Sequence, residues 1–365
     1  MTTSSGEPAH HVHMVGTVPT TDAESAFRMV GGTLGNRLRR ITDGETGPRN
    51  YWITSQARVL HFSDEFEPAG HDWHPDSGTV PEKVAPKYRL KAGVDPKTLV
   101  VPSFGYARLA RESHALFRRL KDEGVIAPDV RFQVSLPTPI AFLAGIVAPE
   151  SHEDVAEALE ENMRKEVADI VASIPHEDLA IQWDACLEIF IWEGLRSLFY
   201  DDDKTECLVR LSRMIDLVPQ TVPVGYHLCY GDFRHKHGVE PKDMGVMVTM
   251  ANFVTDHVHR PIDFVHMPVP RDRDDDAYFE PLKDLRLHEG TELFLGLVHY
   301  TDGEEGTLRR MNVAARHWPD FGIGTECGLG RRDPSTIEEL LRIHARCADA
   351  ETPGDARTAG TAAGA

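Results

Sequence analysis

The strongest constraint in this chain is an alternation: short β-rich segments and amphipathic helical stretches follow one another along most of its length. Strand candidates are His13–Val18, Leu38–Asp43, Val130–Leu136, Leu179–Asp184, Val222–Cys229, Ile262–Met267, Leu293–His299 and Phe321–Glu326. A further short β-rich run, Leu99–Phe104, reads as accessory. Between the strands, Tyr106–Glu123, Ser151–Ser173, Lys204–Leu217, Glu304–His317 and Thr336–Ala348 read as helices. Ser151–Ser173 is the clearest. It opens on Ser, carries Glu153 and Asp154 in its first turn, and repeats Val155, Leu159, Met163 and Val167 at helical spacing.

Strands that alternate with helices build parallel sheets. At 365 residues, closure of eight such units into an α/β barrel of the (β/α)8 (TIM) type is the economical architecture. An open doubly wound sheet would call for a Gly-rich fingerprint after the first strand, and none stands there. The stretch 61–94, with Asp72, His74, Pro75, Pro81 and Pro86, lacks helical pattern and reads as an insertion after the second strand. The barrel should occupy 10–350 as one domain. Residues 1–9 and 351–365, small and polar, read as disordered tails.

Composition narrows the partners. Asp and Glu number 58 against 39 Lys and Arg, a net charge of -19, which repels nucleic-acid backbones and anionic lipid surfaces. No apolar run is long enough to span a bilayer and no signal core opens the chain, so the cytoplasm is the default expectation. The five cysteines are odd in number and scattered, which suits free thiols or metal ligands better than a disulfide framework.

Barrel enzymes collect their chemistry at the carboxyl ends of the strands. Here those ends are polar throughout: Gly16-Thr17, Asp43-Gly44-Glu45, Pro137-Thr138, Asp184, His227 with Cys229, His266, His299 with Asp302, and Glu326-Cys327. His227 and Cys229 lie two apart in a strand and so share a face. One imidazole and one thiolate suit zinc, although a buried Cys more often only fills space. Cys327, at the end of the last strand before two glycines, adds a third donor. Three ligands from separated strands leave a fourth position open, the catalytic rather than the structural pattern. Cys207 and Cys347 lie in helices and read as packing residues, while Cys186, just past Asp184, fits either role.

Five short motifs then occur in order: Val15-Gly16-Thr17-Val18-Pro19, Gly44-Glu45 followed by Arg49-Asn50, Gln182-Trp183-Asp184, His227-Leu228-Cys229-Tyr230, and Cys327-Gly328-Leu329. In these the chain resembles the catalytic, carboxyl-terminal half of cobalamin-independent methionine synthase, within the barrel superfamily that also holds uroporphyrinogen decarboxylase. The resemblance runs from about His10 to Ala348. It implies a zinc ion (Zn2+) held by His227, Cys229 and Cys327, a small-molecule thiol with homocysteine favoured, and a methyl or alkyl donor. It also implies that Thr17 meets the substrate's carboxylate and that Glu45 and Asp184 receive its ammonium group.

Three positions depart from the family. Its carboxylate ligand falls near Pro268, and His266, two residues earlier, is the candidate replacement or a substrate contact. Its general-acid His falls near Asp302, so His299 and Asp302 are the candidate proton donors, His299 being better matched to neutral pH. The family's amino-terminal half has no counterpart here, which leaves the donor open between folate, a methylated corrinoid protein and another small electrophile. Zinc-assisted addition of a thiol to an epoxide and a non-catalytic zinc-binding barrel are the alternative readings. His10, His11 and His13, and the runs Asp201–Asp203 and Asp272–Asp276, read as strand edge and as helix starts or solvated faces, not as metal sites.

Overall fold

The computed structural model describes residues 7–70, 86–232 and 236–352. Eight parallel strands form the centre: β1 (Val12–His13), β2 (Arg40–Thr42), β3 (Arg131–Pro137), β4 (Leu179–Ala185), β5 (Val224–Leu228), β6 (Phe264–Pro268), β7 (Glu292–Gly296) and β8 (Gly322–Gly324). Each pairs in parallel with its neighbour from β2 round to β8, and β8 pairs with β1. A single bridge from Val12 to Leu38 brings β1 against the approach to β2 and nearly closes the cylinder. Each strand overlaps the segment in which the hydrophobic pattern places it, but β1 shares only His13 with its expected range, and Gly16 and Thr17 lie beyond its end at the mouth.

The surrounding helices are α1 (Ala23–Leu34), α2 (Tyr106–Asp122), α3 (His152–Ser173), α4 (Asp203–Asp216), α5 (Gly245–His257), α6 (Gly303–His317) and α7 (Ile337–Ala348). In α3, Val155, Leu159, Met163, Val167 and Ile170 are all buried, so one stripe at helical spacing seals it to the barrel. The acidic runs supply helix caps: Asp202 and Asp275, like Asp22 elsewhere in the chain, accept from backbone N–H groups at the starts of helices. Between β6 and β7 the outer layer thins to the short helix Asp276–Phe279 and one 3-10 turn.

Two expectations need correction. Leu99–Phe104 forms no strand. Instead Asn162 of α3 holds the Val101 and Pro102 carbonyls at 2.9 and 2.8 Å, and Phe104 stacks on Phe142 at 4.2 Å, so side chains from the helical layer replace a strand partner. The chain beyond Ala350 also continues to pack at first, since Thr352 is buried beside His10. Part of the insertion after β2 is a two-stranded antiparallel hairpin, Phe66–Pro68 with Tyr88–Leu90, while 71–85, and with them Asp72, His74, Pro75 and Pro81, lie outside the described residues.

The barrel interior is unusually polar. Gln182 donates to the Val15 carbonyl at 2.7 Å and to Asp184 at 2.8 Å, and its own carbonyl lies 2.7 Å from His13. Lower down, Arg40 stacks 3.8 Å above the Phe264 ring and pairs with Glu292. No described helix is long and apolar enough to cross a membrane.

Candidate metal centre and substrate cavity

Strand register assembles the first layer of the site. Asp184 on β4 is the direct partner of His227 on β5, and His227 is the partner of His266 on β6. Residues paired across parallel strands stand side by side at one level of the barrel. Gly225 keeps β5 close to β6, since a Cβ there would meet the Phe264 carbonyl at 2.1 Å.

Cys229 follows β5 and Cys327 follows β8. Their sulfurs are 3.6 Å apart, and with a His227 ring nitrogen they form a triad whose ligand atoms all lie within 4.8 Å. It is the one such group among the described residues. Two thiolates on one tetrahedral zinc stand roughly 3.8 Å apart, given Zn–S bonds of about 2.3 Å. The spacing therefore fits. His227 Nε2 supports the fit: it is buried and has no hydrogen-bond partner, a costly state for a ring nitrogen unless something else occupies it. Burial and the adjacent His266 hold the His227 pKa far below its ordinary value, so its ring is neutral, as a ligand must be. The Cys229 thiol is pushed far up, first by contact with Cys186 and further by burial, while Cys327 is pushed up by its contact with Cys229 and by burial. Only a strong local positive charge would make them thiolates.

The triad opens on a cavity of about 610 Å³ that also reaches Thr17, Glu45, Asn50, Trp52 and Asp184. The expected substrate contacts Thr17, Glu45 and Asp184 are thus brought together with the three expected ligands. The turn that presents Glu45 is built for it. Asp43 binds Arg49 through both oxygens, at 3.2 and 2.9 Å, and accepts the Glu45 N–H at 2.9 Å. Glu45 itself sits at φ 42, an unusual backbone state for a residue with a side chain, held in place by these contacts. Burial pushes the Asp184 carboxyl up to about 7 against the opposing hydrogen bond from Gln182, and the nearby Glu188 adds to the rise. Glu45 is pushed well above the carboxylate range by burial and by Asp184. A buried and a half-buried carboxyl that repel each other make a receptor for a cation.

The loop after β8 closes the other side. Thr17 Oγ accepts the Gly330 N–H at 3.0 Å and the Thr17 carbonyl accepts the Leu329 N–H at 2.7 Å. A Cβ at Gly328 would come within 2.2 Å of Thr17 Oγ, so the glycine is required for this approach. With one lone pair used, the Thr17 hydroxyl still has its hydrogen to donate.

The other expected residues stand further back. His266 is fully buried behind His227 and does not line the cavity. His299 donates its Nε2–H to the Val269 carbonyl and faces Glu326 through Nδ1 at 3.5 Å, with burial lowering its pKa to about 4. Asp302 precedes α6 and is bound through both oxygens by Arg310. Pro268, where the resemblance implies a carboxylate ligand, has only its carbonyl to offer, and that accepts from Tyr278 at 3.3 Å.

Sequence reasoning missed Trp52, Phe190 and His237, which line the cavity from segments between strands. His237 pairs with Glu326 at 2.9 Å; burial lowers its pKa, but the carboxylates of Glu326 and Glu240 prevail and lift it to about 9. Cys186, left open by the sequence, lines the cavity beside Cys229.

No family model and no curated protein matches this chain. Solved structures do match it in fold. A B12-independent methionine synthase from a Shewanella species, in complex with selenomethionine, superposes with a TM-score of 0.55 over 94% of this chain and 97% of its own, at 14% identity. A putative vitamin-B12-independent methionine synthase from Listeria monocytogenes gives 0.51 over 90% and 86%, at 15% identity. A methyltransferase from Methanosarcina mazei gives 0.53 over 92% and 94%, at 11% identity. At such identities the likeness establishes a common barrel fold.

Proposed function

We propose that this chain is a zinc-dependent transferase that carries a methyl or other alkyl group to the thiol of a small amino acid, homocysteine being the favoured acceptor. The observation that carries the reading is the sharing of one cavity by a His227, Cys229 and Cys327 triad and by the carboxyls of half-buried Glu45 and buried Asp184. A thiol site and an ammonium site within one chamber fit a single substrate that bears both groups. The fold shared with two proteins described as methionine synthases and one described as a methyltransferase agrees with it.

His227, Cys229 and Cys327 would hold the ion, which supplies a lowered thiol pKa so that a thiolate exists at neutral pH. Glu45 and Asp184 would bind the substrate ammonium by charge-assisted hydrogen bonds, and the Thr17 hydroxyl would donate to its carboxylate. Trp52, Leu187 and Phe190 on the wall exclude water from the sulfur. The sulfur forms a bond to the donor's carbon while that carbon's bond to the leaving atom breaks, and the leaving atom keeps the electron pair and takes a proton. His299 would reach that proton path through Glu326, and Asp302 would act by keeping Arg310 in place.

Cobalt-substituted protein tests the proposal. Its visible spectrum should change on addition of homocysteine and stay unchanged with the corresponding amino acid that lacks sulfur. A spectrum indifferent to both would favour the non-catalytic barrel.

A further inference from the structure

The contact between His227 and His266 carries an inference that deepens the metal reading and rests on it. The two rings stand on adjacent strands at paired positions, with Nδ1 to Nδ1 at 2.7 Å. Both are buried, His266 completely. A distance of that kind between two neutral imidazoles means one hydrogen between them, so one ring donates and the other accepts.

The two arrangements differ at the far nitrogen. If His266 donates, the His227 proton sits on Nε2, directed at the cysteines, and no lone pair remains there for a metal. If His227 donates, its Nε2 carries a bare lone pair, and His266 must hold its own proton on Nε2. The grouping of His227, and not His266, with the two cysteines favours the second. The His266 Nε2 faces β8, where the position of a Cβ on Gly324 would be 3.3 Å away. On the other side His227 Nε2 has no protein partner at all, as expected of a nitrogen reserved for a ligand.

We infer that His266 is a positioning residue of the metal centre: its Nδ1 accepts the His227 Nδ1 hydrogen and fixes His227 in the tautomer that turns the Nε2 lone pair toward Cys229 and Cys327. Metal-bound histidines regularly donate their other N–H to an orienting acceptor, most often a carboxylate or a carbonyl. Here a second imidazole from the next strand fills that place. The same contact removes His266 as a ligand or substrate group, because one ring nitrogen is engaged with His227 and the other faces away from the cavity.

The test is zinc affinity, measured by competition with a chromogenic chelator, for the wild type, His266→Phe and His266→Asn. Phe keeps the ring volume and removes the acceptor. Asn keeps an acceptor oxygen near the place of Nδ1. Loss of the acceptor should weaken zinc binding about 10- to 100-fold in the Phe variant, while the Asn variant recovers most of the wild-type affinity. Far-UV circular dichroism checks that each variant folds. Should the Phe variant fail that check, nitrogen-15 NMR of zinc-loaded wild type decides, with the proton expected on His227 Nδ1 and the metal on Nε2. Equal affinity in the wild type and a folded Phe variant, or a protonated His227 Nε2 in the loaded protein, overturns the role of His266. A wild type that binds no zinc overturns the metal reading itself.

Discussion

The two walls of the cavity meet the same physical problem from opposite sides. On the carboxylate wall, Asp184 is a buried acid and Glu45 a half-buried one, yet each is braced: Asp184 by Gln182, and the turn carrying Glu45 by the Asp43 and Arg49 pair. On the sulfur wall, Cys229 and Cys327 have chiefly each other and the Cys186 thiol, and His227 Nε2 has nothing. The braced wall is complete within the protein and suits a cation that comes and goes. The unbraced wall is incomplete, and its polar atoms converge on one point. On the proposed reading, this difference distinguishes the substrate subsite from the ion site.

Breaking the sulfur wall should have the largest effect. Cys229→Ser should reduce bound zinc from about one ion per chain to a small fraction, leaving the far-UV spectrum of the barrel unchanged. Elemental analysis of protein purified without chelator reads this directly, and undiminished zinc in the variant would remove Cys229 from the ligand set.

The carboxylate wall should respond in the opposite sense. The Asp184 pKa in the folded protein, about 7, lies above the ordinary carboxylate value, so ionisation costs stability once the pH rises past the unfolded pKa. The cost is absent below about pH 4, grows between there and pH 7, and is fully present above. Asp184→Asn should therefore stabilise the ligand-free protein at pH 8 by on the order of a few kcal/mol and by nothing near pH 4. Thermal unfolding at the two pH values measures it. The same substitution should weaken binding of the amino-acid thiol at least roughly tenfold, since a charge-assisted hydrogen bond is lost. In the wild type that binding should strengthen as the pH rises through 7. A variant no more stable at pH 8 than at pH 4, relative to wild type, would mean the wall is not held under this electrostatic load.

The smallest effect belongs to the loop that joins the walls. Thr17→Val removes the acceptor for the Gly330 N–H and the donor offered to substrate, and should cost about 1 kcal/mol of stability. A several-fold rise in KM for the thiol with little change in kcat would sharpen the assignment of Thr17 to ground-state binding.

Much of this was legible in the chain because strands and helices are local patterns, and a barrel follows once they alternate. Thr17, Glu45, Asp184, His227, Cys229 and Cys327 were legible for a second reason. Each stands at a strand end or just past it, and the fold gathers strand ends in one place. What the sequence hides is register. Nothing local to His227 or His266, 39 residues apart, says that their strands pair at those two positions rather than one step along. The placement of Trp52, Phe190 and His237 was hidden likewise, because they ride on a 3-10 segment, a short helix and a loop whose course depends on what they pack against. Leu99–Phe104 carried strand-like residues but lacks a strand partner, and its burial against α3 and Phe142 explains the apolar pattern instead.

The seam between β1 and β8 sets a timetable for the protein's making. Cys327 lies 98 residues after Cys229, and the Gly328 to Gly330 loop must close on Thr17 before the last donor reaches the others. At about 5–20 residues per second, a ribosome needs roughly 5–20 seconds to travel that distance. Through that interval the emerging chain holds only two members of the triad, His227 and Cys229. On the metal reading, charging with zinc is thus a final step of maturation, and a bound ion certifies that both ends of the cylinder have met.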